Sequence, residues 1–283
     1  MAAPELDCGG YRLQLDRPRV MGVVNITPDS FSDGGRFVDP DAALAHARDL
    51  VEQGADIVDI GGESTRPGAE PVTTETELER VLPVLRRLVA ELPVPVSVDT
   101  TKPEVMTAAA DAGAGMINDV QALRGDGALA AAAATGLPVC LMHMQGEPRT
   151  MQKNPVYEDV VADVNAFLAE RIAACEGAGI ARERIVLDPG FGFGKTLTHN
   201  YRMLSEFQRF TTHGLPVLVG MSRKSMLGRV TDRAVEERVA ASVAAATLAA
   251  WQGAAVIRVH DVAATVDAMR VVAAAHAPAD VAS

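Results

Sequence analysis

The feature that most constrains the fold is a series of eight short apolar segments, each ending in a polar residue or glycine or leading into one, with helical patterns between them. Most are continuously apolar rather than alternating, as is typical of parallel strands buried on both faces. Eight β-α repeats predict an α/β fold, a (β/α)8 TIM barrel, whereas a doubly wound sheet with the same rhythm is the alternative. The predicted strands are Val20–Asn25, Asp56–Gly61, Val94–Asp99, Gly115–Asp119, Val139–His143, Ile185–Asp188, Val217–Gly220 and Val256–Val259.

Helix-capping residues support this division of the chain. Asp39-Pro40 predicts a helix start, with an aspartate N-cap and proline at the first helical position. Thr74 and Glu77 fit a capping box, and Asn154-Pro155 predicts the start of a long helix that ends at Gly177. No Pro/Ser/Gly-rich linker interrupts the sequence, which predicts a single domain over residues 1–283.

The residues before the first predicted strand have a separate expected role. Tyr11–Leu15, followed by Arg17-Pro18, predicts a small N-terminal β-hairpin that closes the bottom of the barrel.

Composition excludes several classes of function. A formal net charge of −11 and a pI near 5.0 argue against nucleic-acid binding through a general basic field. Three widely spaced cysteines and the lack of a secretory leader pattern predict a cytoplasmic protein with reduced thiols. The charge-free stretch Val239–Ile257 is rich in alanine and interrupted by Gln252-Gly253, which favours helix, turn and strand over a membrane span.

Hydrogen-bonding residues stand at the carboxyl ends of the predicted strands, where barrels of this type build their sites. Asp99 and Asp188 end two of them, and Asn118 is the residue before the last of a third. Such a set of acceptors suits a flat heterocycle with several N–H donors, such as a pterin or a purine. Two alternatives stay open: Asp99 and Asp188 as helix N-caps, or all three residues as ligands of a divalent metal.

Cations also fall in the predicted site loops, despite the acidic composition. An arginine fork and a histidine donor suit phosphate, although solvated surface charge is the alternative. The four cations are Arg66, Lys224, Arg258 and His260. The segment DPGFGFGKT, residues 188–196, is not a P-loop, because Pro189 stands where the first P-loop glycine is needed.

Taken in order, the longer motifs resemble those of the dihydropteroate synthase family from about Val20 to about Val272. They are NITPDSFSDGG, DIGGESTRPGA, SVDT, IND, LMHM, LDPGFGFGK, GMSRKSMLG and IRVHDV. The resemblance implies a (β/α)8 barrel, usually a homodimer, that uses Mg²⁺. It implies that (7,8-dihydropterin-6-yl)methyl diphosphate and 4-aminobenzoate are joined in folate biosynthesis, with sulfonamides as mimics of the aminobenzoate.

The resemblance also implies roles for individual residues. The implied pterin pocket comprises Asp99, Asn118, Met142, Asp188 and Lys224. The implied diphosphate pocket comprises Asn25, Thr65, Arg66, Arg258 and His260. The implied aminobenzoate neighbourhood comprises Phe31, Pro67, Phe193, Ser222 and Ser225. Asn25 is the implied Mg²⁺ ligand, with Asp33 as a second candidate; Asp33, Asp99, Lys224 and Arg258 are the implied catalytic set.

Two other functions are compatible with parts of this pattern. A methyltetrahydrofolate–corrinoid methyltransferase would share the barrel and the acidic pterin pocket, but it has no need of Arg66, Lys224 and the SRK loop. A non-catalytic pterin-binding paralogue would not need Asn25 and Asp33 together with the cations. Formation of dihydropteroate distinguishes the synthase from both.

Overall fold

The computed structural model describes residues 5–26, 39–64, 68–146 and 150–278. Its centre is an eight-stranded parallel sheet of β3 to β10, in the spatial order β8-β7-β6-β5-β4-β3-β10-β9. These strands are β3 Arg19–Asn25, β4 Ile57–Gly61, β5 Val96–Asp99, β6 Met116–Asp119, β7 Val139–Met142, β8 Ile185–Asp188, β9 Leu218–Val219 and β10 Val256–Val259.

The sheet closes on itself between β8 and β9. Leu187 forms a parallel bridge with Val217, and the Leu187 amide donates to the carbonyl of Pro216 at 2.9 Å. The (β/α)8 barrel predicted from the apolar segments is therefore confirmed, and the doubly wound sheet is excluded. The seventh strand is two residues long, shorter than the predicted Val217–Gly220.

Helices follow the strands and cover the outside of the barrel. They are α1 Pro40–Glu52, α2 Thr74–Glu91, α3 Pro103–Asp111, α4 Ala128–Thr135, α5 Val160–Gly177, α6 Leu197–Ser205, α7 Ser225–Thr231, α8 Val239–Trp251 and α9 Val262–His276. In the described ranges, 3₁₀ segments lie between them at Arg182–Arg184, Phe207–His213 and Val235–Glu237. Within the described ranges, no helix combines the length and apolarity needed to cross a membrane.

Two predicted helix starts are wrong by a few residues, and side-chain capping explains both. The cap of α2 is Thr73, not Thr74, because the Thr73 hydroxyl accepts from the amide of Thr76 at 3.2 Å. Helix α5 starts after Asp159 rather than at Asn154-Pro155. The Asp159 carboxylate accepts from two free amides of the first turn, so it supplies the stronger start. The predicted cap of α1, Asp39, is confirmed.

An antiparallel hairpin precedes the barrel, with β1 at Glu5–Cys8 and β2 at Tyr11–Gln14. Its apolar side chains Leu6, Cys8 and Leu13 are buried against the inward-facing residues at the amino-terminal ends of the barrel strands. These residues are Met21, Ile57, Met116, Cys140, Val186, Leu218 and Val256. The hairpin thus closes the end of the barrel opposite the polar strand ends, as predicted, although its first strand lies before Tyr11.

Candidate active site

Strand register brings the predicted acceptors together at the carboxyl end of the barrel. Asp99 is paired in register with Asn118, and Met142 is paired with Asp188. All four side chains are at most 9% exposed. Neither aspartate caps the helix that follows its strand, since the cap of α3 is Lys102 and the cap of α6 is Thr196.

Arg258 is held inside this cluster by two carboxylates. Its Nε donates to Oδ2 of Asp59 at 2.7 Å, and its Nη2 lies 2.6 Å from the same oxygen in an ion pair. Nη2 also donates to Oδ2 of Asp99 at 3.2 Å. Asn118 makes a longer bond, 3.4 Å, from Nδ2 to the same Asp59 oxygen. The acceptors on β5 and β6 and the cation on β10 therefore form one connected network.

Asp59 is the residue of this network that sequence reasoning missed. It lies in the middle of β4 with no exposed surface, and its Oδ1 has no hydrogen-bond partner among the described residues. A charged residue in the middle of the apolar run IVDIG was the available signal, because an unpaired buried carboxylate is too costly to retain without a partner.

Burial and charge set the ionisation of the cluster. Burial raises the pKa of Asp99 to about 8, with a further rise from Asp59, while Arg258 acts in the opposite direction. Burial alone would lower the pKa of Arg258, but Asp59 and Asp99 outweigh it and raise that pKa above its usual range. Arg258 therefore stays charged, whereas Asp99 can change its charge near neutral pH.

Lys224, in the loop that follows β9, and Asp188, at the end of β8, interact electrostatically. Burial raises the pKa of Asp188, and the charge of Lys224 partly offsets that rise. Burial lowers the pKa of Lys224 to about 8, and the charge of Asp188 partly offsets that fall. The Lys224 Nζ donates to the Phe191 carbonyl at 2.5 Å and lies 4.6 Å from the centroid of the Phe193 ring, a cation–π contact. Lysine and ring form one wall at the mouth of the site.

The ends of β9 and β10 are tied to each other. The Ser222 hydroxyl accepts from the His260 amide at 3.2 Å and lies 3.1 Å from its Nδ1. The Arg223 guanidinium forms a two-bond fork with the Asp261 carboxylate, at 3.0 and 2.5 Å. Sequence reasoning had no role for this Arg223–Asp261 pair, which fixes the loop that presents Lys224.

Of the remaining predicted site residues, the structure describes two, Asn25 and Ser225. Asn25 ends β3 in register with Gly61, and Ser225 is the exposed first residue of α7. Helix α7 itself had not been predicted. The others lie outside the described residues: Phe31, Asp33, Thr65, Arg66 and Pro67.

A cavity of about 520 Å³ opens at the barrel mouth on the β4 to β6 side. Asp99 and Val120 line it together with Glu63, Glu77 and Arg124. Its volume lies within the range of small-molecule sites. Among the residues that the structure describes, no group of three or more His, Cys, Asp and Glu side chains is arranged to hold a metal ion.

A buried acceptor network with a fixed arginine, at the carboxyl end of a (β/α)8 barrel, defines a small-molecule enzyme site. The family model described as "Pterin binding enzyme" matches residues 21–260, so the chain belongs to the pterin-binding enzymes.

Relatives narrow the class further. The dihydropteroate synthase of Escherichia coli (strain K12) is 56% identical over 265 residues, which is 94% of each chain. The Xanthomonas albilineans dihydropteroate synthase structure with 4-aminobenzoic acid is 58% identical, has a TM-score of 0.92, and aligns over 97% of this chain and 99% of that one. The Yersinia pestis enzyme in a sulfonamide drug complex is 52% identical with a TM-score of 0.92, over 96% and 99%. Within the pterin-binding enzymes, this chain is therefore one of the dihydropteroate synthases, which are transferases.

Proposed function

We propose that the site joins (7,8-dihydropterin-6-yl)methyl diphosphate to 4-aminobenzoate, giving 7,8-dihydropteroate and diphosphate. The observation that carries this proposal is the network in which Asp59 and Asp99 hold Arg258 beside Asn118. It sets hydrogen-bond acceptors for a heterocycle next to a permanent cation for a leaving diphosphate.

The pterin end is assigned to Asp99, Asn118, Met142, Asp188 and Lys224. The two carboxylates and the Asn118 amide oxygen are acceptors that match the N–H donors on the edge of a pterin. Buried Met142 supplies an apolar wall. A ligand that donates hydrogen bonds to Asp99 stabilises its charged form, so pterin binding should lower the Asp99 pKa from about 8.

The diphosphate end is assigned to Arg258 and His260, together with Asn25, Thr65 and Arg66. Arg258 stays charged between its carboxylates and still has about a quarter of its side chain exposed. Breaking the C–O bond to diphosphate leaves negative charge on the leaving group and positive charge on the pterin methylene. In this dissociative substitution Arg258 neutralises the first, and the carboxylates of Asp99 and Asp188 stabilise the second.

The arene end is assigned to Phe193, Ser222 and Ser225, with Phe31 and Pro67 from the segments outside the described residues. The Phe193 ring beneath the Lys224 ammonium offers a flat surface with a cation at its edge. The amine of 4-aminobenzoate is a modest nucleophile, so holding it in line behind the methylene contributes more than deprotonating it.

We propose Mg²⁺ as the cofactor, held by the side-chain oxygen of Asn25, with Asp33 as a second possible ligand. A single amide oxygen at the end of β3 fits a metal that keeps several waters and takes its other ligands from substrate phosphates. When bound, Mg²⁺ supplies Lewis-acid neutralisation of the diphosphate.

We propose that sulfonamides compete with 4-aminobenzoate for this site. The support for this is the Yersinia pestis dihydropteroate synthase, whose structure was solved in a sulfonamide drug complex.

We also propose a homodimer. It is supported by large apolar side chains exposed on α8 and α9, namely Leu248, Trp251 and Val271. A cytoplasmic location fits three free, buried cysteines, Cys8, Cys140 and Cys175. Light scattering tests the dimer.

The decisive experiment mixes the purified protein with pterin diphosphate, 4-aminobenzoate and Mg²⁺ and measures diphosphate release. Release that depends on 4-aminobenzoate, with dihydropteroate as product, is the expected result; release without that dependence contradicts the proposal. Arg258→Ala should weaken the diphosphate substrate far more than a bare pterin. Equal losses for both ligands would refute the role given to Arg258.

A further inference from the structure

The loop after β8, Gly190–Gly194, is held to an unusual degree by side chains. Every one of its five backbone carbonyls accepts a side-chain hydrogen bond. Lys195 donates to Gly190 and Phe193, Lys224 to Phe191, Gln152 to Gly192 and Tyr157 to Gly194. One side chain, Lys195, therefore holds both ends of the turn that presents Phe193.

The loop also lies directly on the backbone that follows β7. A Cβ atom on Gly190 would stand 1.9 Å from the His143 carbonyl oxygen, and one on Gly194 would stand 2.4 Å from that of Gln145. Both glycines have positive φ angles, 72° and 63°. The path of the loop is thus fixed against β7 by contact as well as by hydrogen bonds.

Lys195 is enclosed between these two segments and is 3% exposed. Its Nζ lies 2.8 Å from the Gly190 oxygen, 3.0 Å from the Phe193 oxygen and 2.9 Å from Nδ1 of His143. Burial lowers the pKa of Lys195 well below its usual range, and burial lowers that of His143 to about 2. A fourth, longer contact joins Nζ to the His143 carbonyl oxygen at 3.4 Å. A neutral amine fits the three shorter contacts, since two N–H groups reach the Gly190 and Phe193 carbonyls and the lone pair is left for an N–H of His143.

Phe193 is consequently fixed at two points by two lysines. Lys195 holds its carbonyl from the side of β7, and the Nζ of Lys224 lies 4.6 Å from its ring centroid. Lys224 is in turn attached to the same loop through the Phe191 carbonyl. A displacement of the loop would move the Phe193 ring and the Lys224 ammonium relative to each other.

We propose that Lys195 is a positioning residue for the binding of 4-aminobenzoate. By donating hydrogen bonds to the carbonyls of Gly190 and Phe193, it keeps the Phe193 ring in its place beside the Lys224 ammonium. This inference rests on the proposed function, in which Phe193 and Lys224 flank the arene. Lys195 itself touches no reacting atom.

The test replaces Lys195 with methionine, which keeps most of the side-chain volume and removes the donors. Displacement of the Phe193 ring weakens its contact with the arene, so the KM for 4-aminobenzoate should rise about tenfold. The KM for pterin diphosphate should rise less, because Asp99, Asn118 and Arg258 of its proposed pocket lie on β5, β6 and β10, away from this loop. A purely structural defect would reduce the active fraction and leave both KM values unchanged.

Arg184→Met is the matched control. Arg184 stands just before β8, and its guanidinium donates twice to the Leu137 carbonyl, at 3.1 and 2.7 Å, at the opposite end of the barrel. Arg184→Met should lower stability without changing the KM for 4-aminobenzoate relative to the KM for pterin diphosphate. Equal changes in both KM values for Lys195→Met, or the same separation in Arg184→Met, would overturn the proposal.

A double-mutant cycle locates the effect. In a Phe193→Ala background, Lys195→Met should add little to the KM for 4-aminobenzoate, because the side chain that it positions is already absent. Full additivity would refute the coupling. If Lys195→Met fails to fold, Tyr157→Phe takes its place, because it removes only the hydrogen bond from the Tyr157 hydroxyl to the Gly194 carbonyl. This variant should give a smaller rise in the KM for 4-aminobenzoate. An unchanged KM would count against the proposal. An inactive wild-type protein would instead contradict the proposed function.

Discussion

Arg258 and Asp59 stand 199 residues apart in the chain, yet the Arg258 Nη2 lies 2.6 Å from the Asp59 Oδ2. Their strands β10 and β4 are not neighbours, because β3 lies between them. The ion pair therefore crosses the barrel interior over β3. It fixes the arginine before any ligand arrives, so the cation does not have to be ordered at the moment of reaction.

Removing Asp59 should be strongly destabilising. Asp59→Ala leaves Arg258 with one carboxylate in a buried site and should lower the free energy of unfolding by about 3–5 kcal/mol. Asp59→Asn should cost less, since an amide oxygen can still accept from the guanidinium. Urea denaturation measures both. Arg12→Ala, which breaks an exposed pair with Glu5, is the control and should change the unfolding free energy little. Equal effects at the two sites would contradict the buried-pair argument.

Asp99 should make the wild-type protein less stable as the pH rises. Its folded-state pKa of about 8 exceeds its unfolded value, so the folded state binds more protons between about pH 4 and pH 8. Stability is then lost with increasing pH across that window, by at most about 1.4 kcal/mol per pH unit. Asp99→Asn removes this dependence.

The comparison is made by denaturant unfolding of both proteins at several pH values. The stability of Asp99→Asn relative to wild type should increase from pH 5 to pH 8, while the variant loses activity because the proposed pterin pocket lacks its carboxylate. A stability difference that is constant with pH would show that Asp99 is charged in the folded protein throughout this range.

Two glycines with almost the same backbone conformation should respond differently to alanine. Gly190 has φ of 72° and would place a Cβ against the His143 carbonyl, whereas Gly136 has φ of 74° and nothing within 4 Å of a Cβ. Gly136→Ala should cost about 1–2 kcal/mol for the left-handed conformation alone. Gly190→Ala should cost several kcal/mol more and should also raise the KM for 4-aminobenzoate. Thermal unfolding of the two variants, followed by kinetics, tests the difference.

The hairpin should contribute to the stability of the whole barrel rather than to its chemistry. Leu6 is 1% exposed in the apolar cluster at the amino-terminal end, so Leu6→Ala should cost about 2–5 kcal/mol. At a temperature where the variant is folded, kcat/KM should equal that of the wild type. Val156→Ala, at a side chain that is 69% exposed, is the control for stability. A selective loss of kcat/KM in Leu6→Ala would show that the hairpin influences the site.

The sequence predicted the barrel well because most of the buried parallel strands are continuous apolar runs that end where their side chains become polar. Asp99, Asn118 and Asp188 could be located in this way from strand ends alone. Asp59 could not be assigned, because its partner Arg258 is distant in the sequence and only strand order brings the two together. Helix starts depend on which side chain finally caps the free amides, and that choice moved the start of α5 from Asn154-Pro155 to Asp159.

Lys195 illustrates a different limit. In the sequence it ends a glycine-rich segment that looks like part of a phosphate-binding loop. Its burial and its contacts with His143 and two loop carbonyls follow from how closely the loop approaches β7. No local pattern encodes that approach, since it depends on two glycines packing against the backbone of another strand.

The hairpin at the amino-terminal end also determines where ligands can enter and leave the enzyme. Since Leu6, Cys8 and Leu13 cover the packed amino-terminal end of the barrel, the described part of the molecule is open to ligands at its carboxyl end. Ligands must then enter and leave through the same mouth. If the pterin lies at the strand ends and the arene above it, as proposed, pterin diphosphate has to bind before 4-aminobenzoate. The same arrangement predicts that the benzoate half of the product leaves the opening before the pterin half.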